Sequence, residues 1–173
     1  MVRLCLWGVL FAFSFLACST PKNKVVTVSA EKQLPRVLEV NWMTLDEVQA
    51  AMKKEPRKVL IDFYTSWCGW CKVMDRKTYS NPDVIKYINE KFYAVKFDAE
   101  RKDTVMFLGK AYSFPIGNNA NELALELLQG RLSYPSTVFL TEGFQSPTVV
   151  PGYLDVGKME MVLKFLCKLP FNS

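Results

Sequence analysis

The run Val59-Leu60-Ile61-Asp62-Phe63 is apolar on both alternating sets of positions except at Asp62. Lys58 and Tyr64 flank it, and only Thr65 and Ser66 then precede Trp67-Cys68-Gly69-Trp70-Cys71. A strand with no polar side must be covered on both faces, so Lys58 to Tyr64 predicts the centre of a sheet with helices above and below. The cysteine pair then falls where that strand hands over to a helix. Two cysteines three apart in a first helical turn lie on one side of it, placed to form a disulfide or to react in sequence. Cys68 occupies the positive end of the helix dipole, which favours a thiolate, and the thiolate is the form that attacks disulfides.

The rest of the chain supplies the expected layers. Thr44 and Glu47 make a capping box for a helix that buries Leu45, Val48 and Met52 and stops at Pro56. Lys72 to Thr78 continues the helix begun at the cysteines. Asn81 caps the next helix, with Pro82 in its first position, Asp83 in its first turn, and Val84, Ile88 and Phe92 four apart. Tyr93 to Asp98 predicts a second strand. Val105 to Phe114 predicts a small hairpin turning at Gly109-Lys110, and Asn121 to Gln129 a short helix closed by Gly130. Ser136 to Leu140 and Pro147 to Val150 follow as strands, and Met159, Val162, Leu163 and Leu166 mark the inner face of a last helix. This order predicts an α/β fold, a central mixed sheet with helices on both faces. Residues 100–131 read as an insertion ahead of Tyr134-Pro135, with Met106, Phe107, Tyr112 and Phe114 expected in the core.

Arg3 followed by the apolar stretch Leu4 to Leu16, broken only by Ser14, reads as an export signal over residues 1–17 and is short for a membrane span. It ends in Leu16-Ala17-Cys18-Ser19 and resembles a bacterial lipoprotein signal, which implies that Cys18 becomes the lipid-bearing first mature residue. Phe15 and Leu16 depart from that pattern, since Leu and a smaller residue are usual there. A plain cleaved signal and an uncleaved anchor are the alternatives. Residues 18–36, rich in Lys, Thr, Ser and Val, read as a tether, and 37–173 as the domain.

The formal charge of +5 falls to +4 once Arg3 is discounted, and it is scattered, which argues against a nucleic-acid partner. Histidine is absent, which excludes Cys-His proteases, His-ligated metals and a His general base. Of five cysteines, Cys5 lies in the signal, Cys18 under lipid, and Cys68 and Cys71 in the pair. Cys167, among Phe165, Leu166 and Leu169, is expected to be an inert buried thiol. Three thiols without histidine are too few for zinc, so no metal is expected.

Trp-Cys-x-x-Cys after a buried strand, with Tyr134-Pro135 ahead of a later strand, resembles the thioredoxin superfamily over roughly residues 40–169. Lys72, Met74 and Thr78 resemble its periplasmic lipoprotein branch, similar to the C-terminal domain of the bacterial transmembrane thiol reductase. Cys68, nearer to solvent and to the helix end, is expected to attack and Cys71 to resolve, with their own disulfide as the redox group and no other cofactor. Asp62 should have a raised pKa because a charge in an apolar strand is costly to bury. The resemblance adds that it moves the proton of Cys71; the competing reading is that Asp62 merely meets a buried lysine, with Lys96 the candidate, or reaches the sheet edge. Pro135 is implied to be cis and to face the cysteines, leaving the backbone before it free to pair with a substrate strand. Trp67, Gly69, Trp70 and Tyr134 would line that groove. Trp67 belongs at its rim, Trp70 could be a platform or a shield over sulfur, and Lys72 should be solvated.

Gly69-Trp70 places no cation between the cysteines, so the reduced form is less stabilised and the couple is expected to be reducing. The expectation is a thiol–disulfide oxidoreductase of the cell envelope, on the periplasmic side and lipid-anchored to the inner or outer membrane. It would reduce or isomerise disulfide-containing envelope proteins and be recharged by a membrane thiol donor. The alternative is a non-catalytic peptide-binding or chaperone-like module on the same fold.

Overall fold

The computed structural model describes residues 38–168. The expectations for residues 1–17, for Cys18 and for the tether over 18–36 lie outside the described residues. The chain runs β1 (Trp42–Met43), α1 (Leu45–Met52), β2 (Lys58–Tyr64), α2 (Gly69–Lys77), α3 (Pro82–Lys91), β3 (Phe92–Asp98), β4 (Val105–Phe107), β5 (Lys110–Tyr112), α4 (Glu122–Leu127), β6 (Ser136–Leu140), β7 (Thr148–Pro151) and α5 (Val156–Lys168). Five strands form one sheet in the order β1-β3-β2-β6-β7, with β4 and β5 paired separately. β2 is the middle strand, as its apolar run required, and because it is parallel to β3 and antiparallel to β6 the sheet is mixed.

The period-two alternation of the strands splits the core into two layers. Val59, Ile61 and Phe63 of β2 pack with Val95, Phe97, Val138 and Leu140 beneath α1, the β4–β5 hairpin and α4. Leu60 packs with Ala94 and Phe139 beneath α2, α3 and α5, through Met74, Val84, Ile88, Met159 and Leu163. The helix boundaries follow local chemistry. Thr44 and Glu47 close the capping box of α1, and the Asn81 side chain accepts the Asp83 and Val84 N–H groups with Pro82 in the first turn of α3. Lys58 is buried at the foot of β2, where its ammonium donates to the Leu166 carbonyl at 2.6 Å, a cation at the C-terminal end of α5.

Several details differ from the sequence reading. α1 ends at Met52 rather than at Pro56, because Lys53 to Glu55 already turn away from the helix. The hairpin turns at Leu108-Gly109, both with positive φ (51° and 78°), rather than at Gly109-Lys110; a two-residue turn of this hand needs both central residues there. Phe107 and Tyr112 enter the core, but Phe114 is half-buried and Met106 is 49% exposed, since strand alternation turns Met106 away from its buried neighbours Val105 and Phe107. Cys167 is half-buried rather than fully enclosed, and Phe165 points to solvent, because α5 buries only the stripe through Met159, Leu163 and Leu166. Among the described residues no helix is long and apolar enough to cross a membrane.

Candidate active site

After Tyr64 a short turn, closed by the Cys68 N–H donating to the Thr65 carbonyl (3.1 Å), delivers the chain to α2. Cys68 is the N-cap, with extended φ and ψ of −70° and 102°, and its Sγ accepts the Cys71 N–H at 3.1 Å. Sulfur here takes the place of a capping oxygen and satisfies a donor that the helix leaves unpaired. The first turn of α2 contains no acidic residue, so nothing in that turn offsets the helix's positive end. Cys68 and Cys71 are joined in a disulfide with an S–S distance of 2.03 Å.

Solvent access was expected to single out Cys68 as the attacking sulfur. In the disulfide the two residues are 4% and 3% exposed, so exposure does not separate them. Position does: Cys68 caps the helix, whereas Cys71 lies within its first turn. Gly69 opens α2 on an exposed surface, where a Cβ would meet no atom within 4 Å. Its missing side chain therefore leaves open space and does not serve packing. Lys72 is exposed.

Two aromatic pairs flank the cysteines. Trp67 is 66% exposed, its indole N–H donates to the Glu100 carboxylate at 3.1 Å, and its ring meets Tyr134 edge-on with centroids 6.0 Å apart. Trp70 is 62% exposed and leans on Tyr153, with centroids 5.3 Å apart. The Tyr134–Pro135 bond is cis. Pro135 is buried, and its carbonyl accepts the Gly152 N–H at 2.8 Å, tying this segment to the turn that carries Tyr153. The β2–β6 register begins at Ser136, so the peptide groups of Tyr134 sit outside that ladder. Burial pushes the Tyr134 hydroxyl up to about 12, and the charges of Glu100 and Asp98 add to this.

Asp62 is 2% exposed and lies on the face of β2 that α2 covers, directly beside Lys96 of β3 and Thr137 of β6 in the sheet register. Its Oδ2 is 3.4 Å from the Lys96 ammonium. Burial raises the carboxyl to about 6; Lys96 opposes this, Asp75 adds to it, and the Tyr79 hydroxyl lowers it. The Lys96 contact and the raised pKa hold together, because desolvation outweighs one cation that is itself shared. Lys96 also pairs with Asp75, and the rings of Trp42, Tyr64 and Tyr79 surround its ammonium at 5.1, 5.4 and 5.5 Å. Among the described residues no group of acids and cysteines could hold a metal ion.

Asp75, Tyr79, Glu100 and Tyr153 escaped sequence reasoning. Asp75 carried a usable signal, since it lies four residues after Cys71 and so on the same helical face. Glu100 and Tyr153 arrive from distant loops, and no local pattern marks them.

The model of the Thioredox_DsbH family, described as a protein of unknown function, DUF255, matches residues 34–167. Over 115 residues the chain is 30% identical to the thiol:disulfide interchange protein DsbD of Salmonella typhimurium, an overlap of 65% of this chain and 17% of that protein. The chain thus spans under a fifth of that relative's length. In fold it is similar to a solved DsbH oxidoreductase, with a TM-score of 0.55 and 16% identity over 82% of this chain and 94% of that one. It is equally similar to a thioredoxin from Thermus thermophilus, with a TM-score of 0.55 and 18% identity over 75% of this chain and 88% of that one.

Proposed function

Because the chain belongs to the Thioredox_DsbH family, within the thioredoxin superfamily, we propose that it is a thiol–disulfide oxidoreductase working in the reducing or isomerising direction. The observation that carries this reading is the Cys68–Cys71 disulfide seated at the N-cap of α2, above a buried carboxylate on the strand that feeds it. The family match and the likeness to a thiol:disulfide interchange protein support it.

In the reduced enzyme the Cys68 thiolate, held by the helix dipole and the N–H of Cys71, attacks one sulfur of a substrate disulfide. The substrate S–S bond breaks, a mixed disulfide forms, and the released sulfur leaves as a thiolate that takes up a proton. Cys71 then gives its proton to the Asp62 carboxylate and attacks the Cys68 sulfur. This frees the second substrate sulfur and restores the Cys68–Cys71 disulfide. Two electrons pass to the substrate disulfide, and a dithiol donor must return them. A carboxyl with a pKa of about 6 is ionised at neutral pH yet basic enough to accept that proton. Trp67 and Trp70, braced by Tyr134 and Tyr153, offer exposed apolar surface next to the cysteines in the chain, and the peptide groups of Tyr134, outside the β2–β6 ladder, suit a substrate strand. An exposed Trp70 braced by a second ring fits a platform better than a shield.

The direction follows from charge. Gly69-Trp70 brings no cation to the thiolate, and Asp62 sets a negative group beneath it. The signal over 1–17, a lipid on Cys18 and the tether over 18–36 would hold the domain at the envelope. There disulfide-containing proteins are its substrates and a membrane thiol is its donor. The reduction potential tests the direction: a value near that of strongly oxidising members, about −120 mV, refutes the reducing role. Cys71→Ala should accumulate mixed disulfides on Cys68. Activity in a folding assay that survives Cys68→Ser would instead assign the domain to peptide binding alone.

A further inference from the structure

Asp62, Tyr79 and Thr137 place three polar atoms on one face of the sheet, under the helix that carries the disulfide. Asp62 and Thr137 are direct cross-strand neighbours on β2 and β6. Tyr79 arrives from the turn after α2, packs into the same core layer and is 5% exposed. It lines, with Lys96, Asp75 and Trp42, a groove of about 480 Å³. Asp62 Oδ1, Tyr79 Oη and Thr137 Oγ1 are all shut off from solvent, and none completes a hydrogen bond of ordinary geometry among the described residues. One acceptor oxygen and two rotatable hydroxyls in one buried layer have complementary needs, and leaving them unmet in an apolar core is costly.

We propose that Tyr79 is a positioning residue for the proton on Asp62: its hydroxyl donates to Asp62 Oδ1 while accepting from Thr137, which leaves Oδ2 to Lys96. This deepens, and rests on, the proton-accepting role given to Asp62 above. The chain runs from the Thr137 hydroxyl to Tyr79 to Asp62, and each link strengthens the next. No proton leaves Tyr79, because burial and the neighbouring Asp62 charge hold its pKa well above the ordinary range. Its part is to stabilise the carboxylate, so that Asp62 stays ionised until Cys71 needs a base. The groups facing Asp62 are then Lys96 from β3, Asp75 from α2, Tyr79 from the turn beyond α2 and Thr137 from β6.

The test is the titration of the Asp62 carboxyl in the oxidised full-length protein, where no active-site thiol titrates alongside it. Carboxyl-carbon NMR should place the parent midpoint near 6. Tyr79→Phe keeps the ring and removes the hydroxyl. It should raise the midpoint by roughly half a unit to one unit, the shift expected from one lost hydrogen bond. Thr137→Val should move it the same way by less, and it serves where Tyr79→Phe does not fold. In the reduced protein, the pH at which resolution of a mixed disulfide reaches half its maximal rate should follow the same shift. Midpoints unchanged in both variants overturn the proposal. Asp62→Asn keeps the two readings apart. Loss of the kinetic inflection in that variant, with Tyr79→Phe unmoved, sinks the Tyr79 assignment alone, whereas an inflection that survives Asp62→Asn sinks both.

Discussion

Ile61 and Phe63 point to one face of β2, Leu60 and Asp62 to the other, and the two faces follow different rules. Under α1, the hairpin and α4 the β2 layer is hydrocarbon, with Phe63 and Phe97 in contact at 5.2 Å. Under α2, α3 and α5 the same strand carries a buried carboxyl, beside a lysine with two carboxylate partners and two buried hydroxyls. Burying a charge costs far more than burying a methylene, so the second face gives up stability that the first does not. The asymmetry separates scaffold from chemistry along one strand.

The largest expected effect breaks the scaffold side. Phe63→Ala should destabilise the domain by about 3–5 kcal/mol, the usual cost of deleting a fully buried ring. Provided the domain still folds, the reduction potential should stay put, because neither Cys68 nor Cys71 belongs to that core layer. A potential that moved with Phe63 would dissolve the distinction between the faces.

The next largest effect has the opposite sign. Asp62 has its pKa raised from 3.8 to about 6, so the native state holds its proton more tightly than the unfolded chain. Stability is undiminished below about pH 4, falls as pH rises through the interval to about 6, and stays lower above it. The full shift is worth on the order of 3 kcal/mol. Asp62→Asn should therefore stabilise the oxidised protein at pH 8 by up to about that amount, with no gain at pH 4, while slowing disulfide exchange. Lys96 keeps Asp75 as its partner in that variant. Urea melts at the two pH values check it, and a pH-independent effect would mean that Asp62 is a packing residue.

Asp75→Asn should act less, and through Asp62. Removing the Asp75 charge takes away a repulsion that raises Asp62 and releases Lys96 toward it, and both changes lower the Asp62 midpoint. The carboxyl titration measures this. An upward shift would show that Asp75 holds Lys96 in place for Asp62 and does not compete for it.

The scaffold face was the more legible. Val59 to Phe63 announced a central strand because a run apolar on both sides is a local signal, and the Thr44–Glu47 and Asn81–Pro82 caps named their helices for the same reason. Cys68, Cys71 and Asp62 could be read because their spacing sits within one strand-to-helix passage. Tyr79, Thr137 and Asp75 could not be read as a set, since their meeting depends on the register of β2 with β6 and on the turn after α2. Met106 was misplaced because apolar character alone does not say which side of a short hairpin faces the core.

Glu100 offers the smallest and most discriminating test, because it stands where the two regions meet. It opens the insertion whose Phe107, Tyr112 and Leu123 pack on the hydrocarbon face, yet its carboxylate holds the indole of Trp67 beside Cys68. Ala99 is the hinge of this arrangement: its N–H donates to the Tyr64 carbonyl and its carbonyl accepts the Asn121 N–H, pinning the insertion to the end of β2. Glu100→Ala removes one hydrogen bond at an exposed ring and leaves that anchor intact. The KM for a peptide disulfide should rise roughly two- to tenfold, the range that one ordinary hydrogen bond supports. The kcat and the melting temperature should not change. A rise in KM alone assigns the insertion a part in orienting Trp67 toward substrate. A fall in melting temperature alongside it would mean that the rim and the hydrocarbon layer fold as one unit, and the division between faces would then end at Asp98.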